Sequence, residues 1–421
     1  MARKAALSLL RRKATRLAFV VLVSVLPIVF LASSSGPQDN LSRVIGGRGY
    51  SLVSWEVQNF FDKWLHQVTS LFDGKSKDER ITIVQEYFQL NEEIGSVNHQ
   101  ISRVVSTGEG DLEGLIAQRE VLDKERAGLR NEVEEIIEGQ ISKVLSEEGL
   151  SWKLPFGGSD GYLFPPVDFR FDDSPPVLAI SPRERIELIT TRLLKPGLTL
   201  EDIEEIEMGA EEEGGLSAVV TSTGGVATFP SVVSQSASLR HTLRTVSHEW
   251  VHHYMIFFPL GRSFWNSADM ATINETIADI VGDYIANKVF YTYYSEVMDT
   301  SSPSFEEAQS GSLEDTFDFN REMRITRLRV DELLVEGKVE EAEQYMEERR
   351  LFLAENGSFL RKLNQAFFAF NGTYAAAPTS VSPIGGQVRQ LRAASPSLKD
   401  FIERVASISS FSEFLSRVEA E

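Results

Sequence analysis

The sequence has no cysteine and only six histidines among its 421 residues. Disulfide bonds are therefore excluded, and any metal site must be built from histidine and carboxylate side chains. The glycine-rich phosphate-binding motifs and the Gly-x-Ser-x-Gly motif are also missing. The sequence thus gives no support for nucleotide binding or for serine hydrolysis.

Positive charge is scarce relative to negative charge. The chain has 42 Lys and Arg residues against 62 Asp and Glu residues, which gives a net charge of −20. Because nucleic-acid binding needs clustered Lys and Arg on the phosphates, we expect no nucleic-acid partner. The hydrophobic share of 42% is that of an ordinary globular protein, and the length allows two or three domains.

The N-terminus is basic and is followed by an uncharged, mostly apolar run. This pattern is typical of a signal peptide or of an uncleaved signal anchor. It predicts a cytoplasmic basic tail at 1–16 and a transmembrane signal anchor at 17–35. The anchor would bind the protein to the cell membrane as a single-pass protein with its catalytic domain outside the cytoplasm. Cleavage of this segment would instead give a secreted protein.

Residues 45–150 have the periodicity of helices. Apolar residues from Tyr87 to Val104 follow spacings of three and four, and those from Leu115 to Ile136 repeat every seven residues. A Gly-rich turn around Gly108 separates the two runs. The pattern predicts an antiparallel helical hairpin with coiled-coil character, which would serve as a stalk, lid or dimer contact, or as a scaffold packed on the rest of the protein.

Residues 160–290 mix short strand patterns with helices, which predicts an α+β fold. We expect strands at 167–171, 177–180, 186–190, 216–221 and 226–233, with a helix at 200–208. The last two strands would form a hairpin around Gly224 and Gly225. We interpret Val226, Ala227 and Thr228 as part of an edge strand, because Pro230 suits an edge position; a plain hairpin without a binding role is the alternative.

The most informative motif is His248-Glu249-Trp250-Val251-His252. In a helix, His248 and His252 project from one face, so that two ring nitrogens can reach one metal ion. Glu249 lies beside them and could take a proton from an activated water. The motif predicts a metal site with a general base.

A second segment, which contains Glu275 and Asp279, follows a helix break at Pro259 and Gly261. Ser267 is a good N-cap for a new helix. Two antiparallel helices with a short connection could return Glu275 to the histidine pair as a third ligand. Asp279 lies one turn further on and could accept the second ring N–H of a ligand histidine.

Together, His-Glu-Trp-Val-His and Asn-Glu-Thr-Ile-Ala-Asp resemble the motifs of the gluzincin zinc metallopeptidases, the superfamily of thermolysin-like proteases and zinc aminopeptidases. The resemblance implies one catalytic Zn²⁺ with His248, His252 and Glu275 as ligands. It also implies Glu249 as general base and Asp279 behind a ligand histidine. A zincin-like catalytic domain would then cover 160–290, and a helical domain at 291–421 would complete the cleft. The resemblance also implies that the edge strand with Val226, Ala227 and Thr228 lies beside the metal and pairs with the substrate backbone.

The sequence departs from the thermolysin-like enzymes in having no histidine after His253. Aminopeptidase-type relatives stabilise the oxyanion with a tyrosine instead. We favour Tyr374, because a turn containing Gly372 could present its phenol to the metal. The other candidates are Tyr284, Tyr291, Tyr293 and Tyr294.

These observations predict a membrane-anchored, extracytoplasmic zinc peptidase that acts on a peptide or protein substrate. The alternative is a non-catalytic envelope adaptor with a structural zinc site and the hairpin as its interaction surface. Aminopeptidase and endopeptidase activity both remain open, and the sequence does not reveal the oligomeric state.

Overall fold

The computed structural model describes residues 40–51, 75–151, 163–212, 214–296, 317–374, 379–380 and 382–421. Helices dominate these ranges, and two small three-stranded sheets accompany them. The predicted α+β class is confirmed.

The predicted membrane anchor is contradicted. Within the described ranges, no helix is both long enough and apolar enough to cross a bilayer, which takes about 20 consecutive apolar residues. The tail at 1–16 and the anchor at 17–35 lie outside the described residues. The transmembrane helix, the membrane partner and the single-pass location are therefore withdrawn.

The N-terminal part contains a short helix α1 (Asn40–Ile45) and two long helices, α2 (Lys77–Thr107) and α3 (Leu112–Glu147). Helices α2 and α3 pack against each other, as the heptad spacing predicts. Between them, Gly108 takes a left-handed conformation with φ of 70°, and the side chain of Asp111 caps α3. Part of the predicted hairpin segment, residues 52–74, lies outside the described residues.

The strands form two separate sheets. The elements of this region are β1 (Phe169–Asp172), β2 (Val177–Pro182), β3 (Thr190–Leu193), α4 (Leu200–Glu211), β4 (Leu216–Thr221), β5 (Gly225–Val226) and β6 (Ser231–Ser234). The first has the order β1–β6–β5, with β1 parallel to β6 and β5 antiparallel to it; the second has the order β3–β2–β4 and is antiparallel throughout. Helix α4 packs on β4.

Three strand predictions are corrected. The hairpin expected around Gly224 and Gly225 does not form, because β4 joins one sheet whereas β5 and β6 join the other. The strand expected at 186–190 is displaced to 190–193, where it pairs with β2. The expected edge strand ends at Val226, because the N–H of Thr228 donates to the carbonyl of Val226 at 2.8 Å and turns the chain.

Two helices carry the histidine motif and the second motif. Helix α5 (Leu239–Met255) is followed by a short helix α6 (Pro259–Arg262) and by α7 (Ala268–Tyr293). The predicted N-cap is confirmed, since the hydroxyl of Ser267 accepts from the N–H of Met270. A Cβ at Gly282 would lie 3.1 Å from the backbone nitrogen of His248. This glycine therefore allows α7 to approach α5 closely.

The C-terminal part is helical, as predicted. Its elements are α8 (Phe319–Val335), α9 (Val339–Glu355), α10 (Gln365–Asn371), α11 (Ile384–Ala393), α12 (Leu398–Ala406) and α13 (Phe411–Glu419). One hydrophobic core joins the base of the α2–α3 hairpin, strands β1 and β6, helices α5 and α7, and the last three helices. The two motif-bearing helices thus lie in the middle of the largest core, where packing fixes their side chains.

Candidate metal centre

The structure brings His248, His252 and Glu275 together. Their nearest atoms form a small triangle, with 3.0 Å between the two Nε2 atoms. Oε2 of Glu275 lies 3.2 Å from Nε2 of His248 and 3.6 Å from Nε2 of His252. The three side chains are only 11%, 18% and 12% exposed. This group meets the geometric requirements of a metal site.

The size of the triangle fits a zinc ion. With metal–ligand distances near 2.0–2.1 Å, tetrahedral coordination places neighbouring ligand atoms about 3.3–3.4 Å apart. The observed separations of 3.0, 3.2 and 3.6 Å bracket this value. Two imidazoles and one carboxylate are also a ligand set that zinc accepts in catalytic sites, where a fourth position stays open.

Oε2 of Glu275 gives independent support. This atom is buried and has no hydrogen-bond partner of acceptable geometry among the described residues. A buried carboxylate oxygen without a partner costs free energy unless a cation or a donor satisfies it. A metal ion on the three converging atoms would satisfy it.

His248 is held from behind by Asp279. Nδ1 of His248 lies 3.0 Å from Oδ1 of Asp279, and Asp279 is only 4% exposed. With the proton on Nδ1, the lone pair of Nε2 faces the centre of the triangle. This is the outer-shell arrangement that orients a ligand histidine.

The side chain of Arg244 is a member of the site that the sequence reasoning missed. Its Nη2 donates to Oδ1 of Asp279 at 2.8 Å, and its Nε donates to Oδ1 of Asp283 at 2.6 Å. The available signal was spacing, because Arg244 precedes His248 by one helical turn and Asp283 follows Asp279 by one turn.

Charges and burial shift the pKa values of the cluster in opposite directions. Burial alone would lower the pKa of His248, but the close carboxylates of Asp279 and Glu275 outweigh burial and hold this pKa well above 6.5. Burial alone would raise the pKa of Glu275, but the charge of His252 and contacts with both histidines lower it. The centre of the triangle therefore favours positive charge.

Glu249 lies beside the triangle and is 6% exposed. Burial raises the pKa of Glu249 above 4.5, although the charges of His248 and His252 oppose the shift. A carboxyl group in this environment exchanges a proton more readily near neutral pH than an exposed one. Glu249 therefore has the placement and the environment of an acid–base group.

Strand β5 approaches Glu249 closely. Val226 is half-buried at the outer edge of the first sheet, whereas Ala227 is exposed and Thr228 is buried beyond the strand end. The hydroxyl of Thr228 donates to the carbonyl of Pro230 at 2.7 Å, and His253 contacts the backbone of Thr228. Of the three residues predicted to pair with a peptide, only Val226 is in a strand.

Tyr374 lies in the electrostatic field of Glu275 and its neighbouring carboxylates. The charge of Glu275 is the largest cause that raises the pKa of Tyr374 well above 10, followed by burial and by the charge of Glu249. The phenol therefore stays protonated and can donate a hydrogen bond. Its loop begins at Gly372, whose close packing against the carbonyl of Phe368 leaves no room for a side chain.

Two of the alternative tyrosines have partners elsewhere. The hydroxyl of Tyr284 donates to Glu148 at 3.1 Å, and that of Tyr294 donates to Gln140 at 2.7 Å. The ring centre of Tyr293 lies 5.3 Å from Nζ of Lys77, and Tyr291 is 55% exposed. Of the five tyrosines, Tyr374 is therefore the one that the described residues place in the field of the cluster.

An aromatic surface also adjoins the cluster and was missed from sequence. The ring of Phe264 packs edge-on against His252, with centroids 6.0 Å apart, and Trp265 packs against Phe264 at 4.7 Å. Trp265 is 84% exposed. Both residues lie in the connection between α6 and α7, where no periodic signal marks them.

Comparison of the chain with protein-family models, with curated proteins and with solved structures finds no match. Interpretation of the site therefore depends on its own residues and geometry.

Proposed function

We propose that this protein is a zinc-dependent peptidase with a zincin-like catalytic region, which hydrolyses peptide bonds with Glu249 as general base. The observation that carries the proposal is the buried carboxylate of Glu249 beside three converging ligand atoms. A structural zinc site needs four protein ligands and has no use for a base. The resemblance of both motifs to those of the gluzincins supports the same interpretation.

His248, His252 and Glu275 would hold the ion, and Asp279 would keep the proton of His248 on Nδ1. When bound, Zn²⁺ supplies Lewis acidity that activates water and polarises a carbonyl group. Glu249 accepts the proton of the attacking water on its carboxylate. It then delivers this proton to the amine nitrogen as the carbon–nitrogen bond breaks.

Two further groups would act on the substrate. The hydroxyl of Tyr374 donates a hydrogen bond to the negative oxygen that develops on the attacked carbonyl. Strand β5 is the outer strand of the first sheet in the described part of the chain, and an extended peptide would pair along its outer edge. Because β5 ends at Val226, this pairing would cover only a short stretch of peptide.

The test is digestion of a mixed peptide library by the full-length protein beside its Glu249→Gln variant, with mass spectrometry of the products. We expect cleavage by the wild type, a loss of at least about 100-fold in the variant, and equal zinc content in both. The positions of the cuts distinguish end-trimming from internal cleavage. Zinc-loaded protein that cleaves nothing, or an unchanged rate in the variant, would overturn the proposal.

A further inference from the structure

The carboxylates of α7 form a row along one face of the helix. Glu275, Asp279 and Asp283 follow one another at intervals of four residues, so that successive side chains are neighbours on the helix surface. Like charges at this spacing repel one another and destabilise a helix. The row therefore needs cations on the helix that faces it.

Arg244 is a cation that helix α5 supplies to this row. It lies on α5 one turn before His248, and its side chain lies between those of Asp279 and Asp283. The exposed fractions of the three side chains are 22% for Arg244, 6% for Asp279 and 18% for Asp283. Nε and one Nη of a guanidinium lie on the same edge of a rigid plane. Arg244 uses this edge to bind two carboxylates that are one helical turn apart.

Oδ1 of Asp279 is shared between two partners. It accepts from Nη2 of Arg244 at 2.8 Å and lies 3.0 Å from Nδ1 of His248. Gly282 permits this arrangement, since a Cβ there would lie 3.2 Å from the carbonyl of Arg244 and 3.1 Å from the nitrogen of His248. The guanidinium of Arg244 is thus linked to the imidazole of His248 through Oδ1 of Asp279.

From this geometry we propose that Arg244 is a positioning residue for the metal centre. By fixing Asp279 and Asp283 together, it holds Oδ1 of Asp279 on Nδ1 of His248 and keeps Nε2 directed at the ion. The inference rests on the metal centre of the proposed function, but it does not require that the protein cleave peptides.

The test compares Zn²⁺ affinity, measured by competition with a chromophoric chelator, and the visible spectrum of Co²⁺-loaded protein. We expect Arg244→Met to weaken Zn²⁺ binding about 10- to 100-fold, as loss of an outer-shell partner does, and to change the Co²⁺ bands. Arg244→Lys should recover part of the affinity, because it restores the charge without the planar fork.

Two further variants control the result. Arg240→Met removes an arginine of the same helix, whose guanidinium lies 3.6 Å from the ring centre of Phe290, and should leave Zn²⁺ affinity and the Co²⁺ spectrum unchanged. Asp283→Asn removes one anchor of Arg244 but leaves Asp279 in place, and should weaken Zn²⁺ binding less than Arg244→Met. This variant keeps the test decisive if Arg244→Met does not fold.

Wild-type affinity and spectrum in the folded Arg244→Met protein, or in Asp283→Asn where Arg244→Met is unfolded, would overturn the inference. Equal changes in Arg240→Met would overturn it as well, because the effect would then be general to the helix. Wild-type protein that binds no Zn²⁺ would overturn the proposed function together with this inference. Zinc binding without peptide cleavage would overturn the proposed function alone.

Discussion

The backbone of Gly225 lies directly against the carboxylate of Glu249. A Cβ at Gly225 would be 2.8 Å from Oε1 of Glu249, 2.6 Å from Cγ2 of Thr245 and 3.1 Å from the carbonyl oxygen of Val232. The lack of a side chain therefore sets the distance between the edge of the first sheet and the proposed general base.

Gly225→Ala should damage both stability and turnover. The added methyl group has to displace Glu249, Thr245 or the β6 backbone, and such overpacking costs about 1–3 kcal/mol in the free energy of unfolding. The matched control is Gly224→Ala, where the nearest atom, Nε2 of His241, is 3.6 Å away. Urea unfolding and peptide turnover measure both effects; equal losses in the two variants would contradict the role given to Gly225.

Glu275→Ala should remove the metal. The change deletes one of three converging ligand atoms. Zinc affinity should therefore fall further than it does on loss of a residue that only hydrogen-bonds a ligand, which costs about 10- to 100-fold. Metal analysis after gel filtration and the zinc-dependent shift in Tm measure the loss. Glu249→Gln is the comparison variant and should retain its zinc. Full zinc content in Glu275→Ala would show that the third ligand is another residue.

Tyr374→Phe should lower kcat and leave zinc affinity unchanged. Loss of one oxyanion donor typically costs about 100- to 1,000-fold in kcat. Tyr284→Phe provides the control, because the hydroxyl of Tyr284 donates to Glu148, away from the cluster. Steady-state kinetics on a peptide that the wild type cleaves would test this, and an unchanged kcat in Tyr374→Phe would remove its phenol from the mechanism.

The stability of metal-free protein should fall as the pH rises above neutrality. The pKa of His248 in the folded state is raised above 6.5 by Asp279 and Glu275, against the effect of burial. A histidine whose pKa is higher in the folded state stabilises the fold fully when the pH is below its pKa in the unfolded state. This stabilisation is lost as the pH rises through its pKa in the folded state. The lowered pKa of Glu275 acts in the other direction, and its share is lost only below pH 4.5.

Urea unfolding in EDTA, from pH 6 to about pH 9, measures this dependence. Zinc-saturated protein provides the comparison, and we expect it to lack the decline because the metal replaces the proton. A flat profile for the metal-free protein would mean that the carboxylates do not hold a proton on His248.

The sequence predicted the elements whose signals are local. The spacing of apolar residues identified α2 and α3, and Ser267 identified the start of α7. The four-residue spacing of His248 and His252 placed both rings on one helix face, and the placement of Glu275 followed from two adjacent helices with a short connection. Each of these inferences needed only a helix period or a cap.

The relationships that failed depend on distant partners. Alternation of apolar residues shows which face of a strand is buried but not which strand it pairs with, so β4 and β6 were assigned to one sheet instead of two. Arg244 was missed because its two carboxylate partners lie on another helix. The spacing of four residues puts Arg244 on the helix face of His248, but it does not show which carboxylates of another helix meet that face.

The buried carboxylates of the hairpin have a further consequence. Glu138 accepts the backbone N–H of Phe169 at 2.9 Å, and Glu134 accepts that of Phe171 at 2.8 Å. Two side chains of α3 thus take the place of a neighbouring strand along β1, the outer strand of the described sheet. A chain shortened to begin after α3 would expose these donors, and copies of it would tend to associate edge to edge. Helix α3 therefore covers an edge of β1 that would otherwise be open to pairing with another chain.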